Sequence, residues 1–346
     1  MKKILVTGGT GYIGSHTVVA LLEKGFDVVV VDDLSNSQIE VLDGIEKIAG
    51  KKPAFYQFDL CDEKALTSFF DENTDISGII HFAASKAVGE SVEKPLLYYR
   101  NNLFSLLFLL ETMKRLNIPN IVFSSSCTVY GQPDKLPVTE ETPFKPAESP
   151  YGNTKQICEE ILRDTCKVTP GINAISLRYF NPVGAHESAL IGELPRGVPA
   201  NLVPFITQTA AGIRKELLVF GDDYNTPDGS AVRDYIHVTD LAEAHVVAVQ
   251  RLADGKQKSN FEFFNIGTGK GMTVLELIRT FEKVNGISLN YKIVARRAGD
   301  IEKIYADTSL ANRDLGWKAK LTAEEMMRSA WKWQQYVMSS KVLNPT

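Results

Sequence analysis

The run Val6-Thr7-Gly8-Gly9-Thr10-Gly11-Tyr12-Ile13-Gly14 constrains the fold more than any other stretch. It follows an apolar, β-prone segment, Ile4–Val6, and opens a helix-length segment, Ile13–Lys24. Gly8, Gly11 and Gly14 are spaced G-x-x-G-x-x-G. Gly8 suits a turn that needs positive φ. Gly11 lets backbone approach a pyrophosphate, and Gly14 lets helix and strand pack closely. Tyr12 and Ile13 start the helix, where unpaired N–H groups and the positive dipole end favour phosphate. A tight turn without a ligand would also use glycine. Here the order is strand, turn, helix, second strand, then an acid, which the dinucleotide mechanism requires. The acid is Asp32, at the end of Val28–Val31. A carboxylate there binds a ribose 2′-hydroxyl and repels a 2′-phosphate, so NAD is expected rather than NADP; Asp33 could share the role.

Further along, Ala54–Phe58, Gly78–Phe82, Asn120–Phe123 and Ala174–Leu177 also read as strands, with helical stretches such as Ala65–Phe70 between them. Apolar runs alternating with helices predict a doubly wound parallel α/β sheet, Rossmann-like, covered on both faces. At 346 residues the chain is long enough for two domains. After Phe180 the texture turns to Pro, Gly and Asn, with short helices expected around 200–214. A late strand is expected at Phe263–Ile266, and helix and loop over 270–346. The expected division is 1–180 plus 236–269 for the dinucleotide domain, and 181–235 plus 270–346 for a smaller substrate domain. Leu96–Leu116 reads as a helix apolar all round, which belongs either in a core or in a subunit interface.

The net charge is −4 and no basic stripe stands out, which argues against nucleic acid or an anionic membrane as partner. Cys61, Cys127, Cys158 and Cys166 form no C-x-x-C pair, so neither zinc nor a disulfide framework is expected. The apolar run after Met1-Lys2-Lys3 is too short for a secretory signal, and no run approaches a membrane span. A reducing, cytoplasmic location follows as an expectation.

Tyr151 and Lys155 stand at i and i+4 in Tyr151-Gly152-Asn153-Thr154-Lys155. On a helix both lie on one face. Ser149 suits the N-cap and Pro150 the first helical position. An adjacent ammonium and an oxidised nicotinamide would both stabilise a phenolate, letting Tyr151 take a proton from a sugar hydroxyl as hydride leaves. Ser124-Ser125-Ser126 ends the Asn120–Phe123 strand, where ligands of doubly wound sheets bind. One of the three serines is expected to be functional and the others structural.

Together these features resemble the extended short-chain dehydrogenase/reductase family, and within it the UDP-glucose 4-epimerases. The resemblance runs through Val6–His16, Ile80–Ala83, Lys86–Val92, Phe123–Gly131, Ser149–Lys155, Arg178–His186 and Val232–Val238. It implies reversible C4 epimerisation of UDP-glucose and UDP-galactose, an isomerase reaction through a 4-keto sugar with retained NAD. It makes Tyr151 the base, Lys155 its electrostatic partner and a ribose ligand, and Ser126 the contact to the sugar 4-hydroxyl. For NAD it implies Gly8, Gly11, Tyr12, Ile13 and Gly14 at the pyrophosphate, Asp32 and Asn36 at the adenosine, and Asp59 and Leu60 beside the adenine. Phe82, Ala83, Lys86, Asn101 and Tyr179 would line the remainder. For the UDP-sugar it implies Lys86, Asn181, Asn201, Leu202, Phe220, Arg233, Tyr235, Arg297 and Asp300. Ile304 departs from the family, which places either a bulky tyrosine or a small residue there to set the room for the sugar 2-substituent. Some turnover of UDP-N-acetylhexosamines is the consequence expected. A homodimer through the Leu96–Leu116 helix and the Tyr151 helix is implied as well.

Other motifs carry simpler expectations. Gly267-Thr268-Gly269-Lys270-Gly271 reads as a strand-to-helix connection, and Asp240 with Glu243 as a helix-capping pair. His237 and His245 read as packing histidines, and His81 and His186 carry no chemistry of their own. No G-x-S-x-G elbow supports an acyl nucleophile. A 4,6-dehydratase would need an acid/base pair beside Ser126, where Cys127 and Thr128 stand instead.

Overall fold

A computed structural model describes residues 2–296 and 301–340. Its strands are β1 (Lys3–Thr7), β2 (Asp27–Asp32), β3 (Ala54–Gln57), β4 (Ile76–His81), β5 (Asn120–Ser124), β6 (Asn173–Tyr179), β7 (Asn181–Val183), β8 (Leu217–Phe220), β9 (Val232–Arg233), β10 (Tyr235–His237), β11 (Phe261–Ile266), β12 (Met272–Thr273), β13 (Tyr291–Val294) and β14 (Lys303–Ile304). The helices are α1 (Tyr12–Glu23), α2 (Val41–Ala49), α3 (Glu63–Glu72), α4 (Val88–Glu93), α5 (Pro95–Leu116), α6 (Pro150–Val168), α7 (Leu202–Ala210), α8 (Val238–Ala253), α9 (Val274–Asn285) and α10 (Ala323–Ser339).

Seven parallel strands form the central sheet in the order β3-β2-β1-β4-β5-β6-β11. Period-two alternation divides their side chains between two apolar layers. Ile4, Val6, Val28 and Val30 face one core with residues of α1 and α8. Leu5, Val29, Val31, Ile79 and Ile121 face the other, with residues of α3, α5 and α6. Burial on both faces explains why these strands read as unbroken apolar runs. Strand order reverses between β1 and β4, which opens a crevice at their carboxyl ends. The glycine turn and Phe82-Ala83 meet there: Phe82 N donates to Thr7 O at 3.1 Å.

The predicted strands occur, with ends within two residues of the sequence reading. Two local expectations change. Residues 270–340 are not only helix and loop: β13 pairs with β8, and β12 and β14 flank β9. These strands are two to four residues long, too short to carry a period of their own. Asp240 and Glu243 do not cap α8. The cap is His237, whose Nδ1 accepts from Thr239 N at 3.1 Å. Asp240 instead accepts from Lys320 N at 2.9 Å and Leu321 N at 2.8 Å, a tertiary partnership that local spacing does not contain. A third core joins Val183, Ile206, Val219, Ile278, Phe281 and Met327. No described helix is long and apolar enough to cross a membrane.

Candidate functional site

The glycine turn is built for close approach. Gly8 has φ +68°, and a Cβ on it would lie 2.8 Å from Ala83 N. A Cβ on Gly14 would lie 2.1 Å from Gly8 O, so this helix start tolerates no side chain there. Gly11 is the N-cap of α1 and brings no side-chain cap, leaving first-turn N–H groups to an anion. Tyr12 turns its ring inward and donates from its hydroxyl to Gly184 O at 2.6 Å, so only its backbone, like that of Ile13, is offered to a phosphate.

Asp32 is buried and ties this turn to the loop after β2. Its Oδ2 accepts from Thr10 N at 3.1 Å, and its Oδ1 from Leu34 N at 3.0 Å and Ser37 Oγ at 3.1 Å. A carboxylate has about four lone-pair positions, so roughly one remains for a ribose hydroxyl. Asn36 is exposed on the same loop. Asp59 and Asn101 line one cleft of about 630 Å³ with Cys61, Leu97 and Arg100. Leu60, between Asp59 and Cys61, is buried. Asn101 Nδ2 donates to Ser85 Oγ at 3.0 Å. Phe82 packs on His245 with ring centroids 4.6 Å apart. A Cβ-free cradle, an uncapped helix start and a partly satisfied acid fit a dinucleotide.

Ser149 caps α6 by accepting from Gly152 N at 3.2 Å, with Pro150 opening the helix. This aims Tyr151 and Lys155 at the end of β5. Lys155 is buried; its Nζ donates to Ser124 O at 2.7 Å and lies 5.8 Å from the Tyr151 ring centroid. Burial lowers the Lys155 amine to about 8. Ser126 accepts from Thr128 N at 3.2 Å and lies close enough to Tyr151 to favour its charged form. Ser124 Oγ and the Tyr179 hydroxyl are 2.7 Å apart. The expected depression of Tyr151 is not produced by the chain itself. Burial outweighs every favourable contact and raises the phenol well above its usual value.

The residues expected at the UDP-sugar come from different elements. Asn181 in β7 pairs with Tyr235 in β10, and Arg233 in β9 pairs with Ile304 in β14. Asn201 is the N-cap of α7, Leu202 its first residue, and Phe220, at the end of β8, is partly exposed. Ile304 is 3% exposed and clusters with Val129, Tyr130, Val138 and Phe180. Lys86 Nζ lies 4.0 Å from Glu193 Oε1. Arg297 and Asp300 lie outside the described residues.

Sequence reasoning missed three acids. Glu193, largely buried, accepts from Asn201 Nδ2 at 2.7 Å, and burial raises its carboxyl. Asp234 is fully buried between Arg233 and Tyr235. It accepts from Thr268 N at 2.8 Å, Thr268 Oγ1 at 2.6 Å, Gly269 N at 3.0 Å and Ala306 N at 3.2 Å. The Gly267–Gly271 connection is therefore an anchor for the Arg233 strand; its glycines and the neighbouring Arg-Asp-Tyr were the available signal. Glu159 follows Tyr151 and Lys155 on one stripe of α6. It receives Ser125 Oγ at 2.5 Å and Arg178 Nη2 at 2.6 Å. Arg178 Nη1 in turn donates to the Tyr130 hydroxyl at 3.0 Å. The serine segment is thus held from two sides.

Residues 5–330 match the family model described as GDP-mannose 4,6 dehydratase. The UDP-glucose 4-epimerase of Haemophilus influenzae is 51% identical over 96% of this chain and 97% of its own. A crystal structure of the Bifidobacterium longum UDP-glucose 4-epimerase in complex with NAD+ and UDP is 50% identical, with a TM-score of 0.92, covering 97% of this chain and 98% of that one. That of the Stenotrophomonas maltophila enzyme, with bound NAD and formylated UDP-arabinopyranose, is 47% identical with a TM-score of 0.94, covering 98% and 99%.

Proposed function

The chain belongs to the UDP-glucose 4-epimerase family of extended short-chain dehydrogenases/reductases, and from that premise we propose that it interconverts UDP-glucose and UDP-galactose at C4 with a retained NAD. The observation that carries this reading is the meeting of Tyr151, Lys155 and Ser126 beyond β5, in the sheet whose first turn is shaped for a dinucleotide.

Bound NAD would accept the C4 hydride and return it, so no net oxidation occurs. Tyr151 takes the C4 hydroxyl proton and gives it back. Burial raises the phenol in its own surroundings, and Lys155 together with a bound oxidised nicotinamide would favour its phenolate. Lys155, fixed to Ser124 O, would hold the nicotinamide ribose, and Ser126 would orient the reacting oxygen. Asn181, Asn201, Leu202, Phe220, Arg233 and Tyr235, with Arg297 and Asp300, keep UDP in place while the 4-keto sugar turns over. Arginine suits a diphosphate because its planar fork makes paired, charge-assisted bonds. We treat residues 181–235 with 270–346 as the substrate unit and 1–180 with 236–269 as the NAD unit. The third core, drawn from Val183 through Ala330, supports that division.

The dehydratase reading fails on its acid. Cys127 follows Ser126, and burial pushes its thiol up to about 12, leaving no acid/base function near neutrality. Ile304 leaves more room than tyrosine, so slow UDP-N-acetylhexosamine turnover accompanies the main reaction. The four unpaired thiols suit the reducing cytoplasm. The decisive experiment is incubation of the purified protein with UDP-galactose without added NAD. UDP-glucose should form; a product lacking the 6-hydroxyl would overturn the reading. In parallel, no conversion of UDP-N-acetylglucosamine would remove the secondary activity alone.

A further inference from the structure

Arg196 lies outside every subsite assigned above, in the irregular segment between β7 and α7. Its guanidinium reaches the loop that follows β2. Nη1 donates to Ser35 O at 2.7 Å, and Nη2 to Leu34 O at 3.0 Å and Ser37 O at 2.5 Å. From the inner side, Asp32 accepts from Leu34 N and Ser37 Oγ of the same loop. Ser37 Oγ also lies 2.6 Å from Thr10 Oγ1 in the glycine turn. Between these holds Leu34 adopts φ +60°, a left-handed conformation unfavourable for a branched side chain. Such a conformation persists only where its surroundings over-determine it.

The segment that carries Arg196 is itself anchored. Three residues earlier, the Glu193 carbonyl accepts from Trp333 Nε1 at 2.8 Å. The Glu193 carboxylate holds Asn201, at the start of α7. Arg196 therefore pulls on the loop from a fixed base rather than from a free strand.

We propose that Arg196 is a positioning residue for cofactor retention, clamping the 34–37 loop over the adenosine end of bound NAD and slowing its release. The inference rests on NAD occupying the site as read above. With Asp32 and Asn36 assigned to the adenosine, release of the cofactor would require this loop to move, and Arg196 holds three of its carbonyls. Three carbonyls on one planar fork resist opening together, a geometry that a lysine ammonium does not reproduce. The same segment carries Asn201 on the UDP side, which gives the clamp a fixed distance to the substrate.

The test is exchange of the protein's bound NAD against excess isotope-labelled NAD. Arg196→Ala should exchange about tenfold faster or more, since all three charge-assisted hydrogen bonds to the loop are lost and each contributes at an exposed site. Arg196→Lys should fall between the variant and the parent. With saturating NAD, kcat and the KM for UDP-galactose should stay at parent values, and the unfolding midpoint of the NAD-free protein should not move. Equal exchange rates in parent and Arg196→Ala would overturn the proposal. Faster exchange accompanied by a lowered midpoint of the NAD-free protein would overturn it too, since the residue would then be a general structural support. A parent protein that neither carries nor takes up NAD would defeat the functional reading instead.

Discussion

Tyr151 shows how spacing and environment divide the work at the scale of one residue. Its i, i+4 relation to Lys155 is legible in sequence; its protonation state is not. In the NAD-free protein the phenol should stay protonated through the neutral range, because burial raises it. Difference spectroscopy of the parent against Tyr151→Phe should show no tyrosinate from this residue below pH ~10. Tyr151→Phe should also lower kcat by about 10²–10⁴-fold, the usual share of a positioned acid/base, while bound NAD remains. Tyrosinate at pH 7 in the NAD-free parent would contradict the account. The roles of Glu193, Asp234 and Arg196 were not assigned from sequence for a shared reason. Each acts through a partner far away in the chain: Lys86, Thr268, and Ser35 respectively.

At the scale of elements, α6 does more than display Tyr151 and Lys155. Glu159, one turn further on, makes a buried pair with Arg178, the two side chains being 3% and 4% exposed. Arg178 stacks on Phe263 at 4.3 Å and Phe144 at 4.8 Å, so it has no route to water once its partner is gone. Glu159→Gln should therefore cost about 3–5 kcal/mol, as breaking one side of a buried pair does. Urea unfolding of the variant measures this, and a loss below ~1 kcal/mol would show the pair to be replaceable. The α5 helix was expected in a core or in an interface. One face is buried through Tyr98, Leu106, Leu109 and Met113, while Leu96, Leu97 and Phe104 are exposed. A homodimer through this face predicts a scattering mass of twice 38.3 kDa, and its loss in Phe104→Glu. A parent protein of monomer mass would refute it.

For the whole molecule, the histidines set the acid limit. Burial lowers His16 and His81 to about 3, and His237 and His245 to about 4. Each ring is neutral in the fold and takes up a proton on unfolding near its ordinary value of 6.5. Stability from these groups is therefore complete above about pH 6.5 and falls as pH drops from there towards 4. The slope is up to about 1.4 kcal/mol per pH unit for each histidine, so a steep, proton-consuming loss is expected. Urea midpoints at pH 7 and 5 should differ strongly, and replacing His245 by Asn should reduce the difference. Equal midpoints would show that the buried rings do not govern acid unfolding.

The sequence by itself determined the NAD-type turn, the parallel sheet and the Tyr–Lys pair. All three are written in spacings of a few residues, where backbone geometry converts period directly into position. The short strands around Arg233, the hold of Asp240 on Lys320 and Leu321 and the fastening of the Asp32 loop were decided only by the tertiary structure. Their energies come from buried carboxylates and an arginine whose partners lie up to about 160 residues away in the chain, and no local pattern encodes such pairings. The turn with which the sequence begins is thus complete only when Arg196, from beyond β7, closes on the loop beside it.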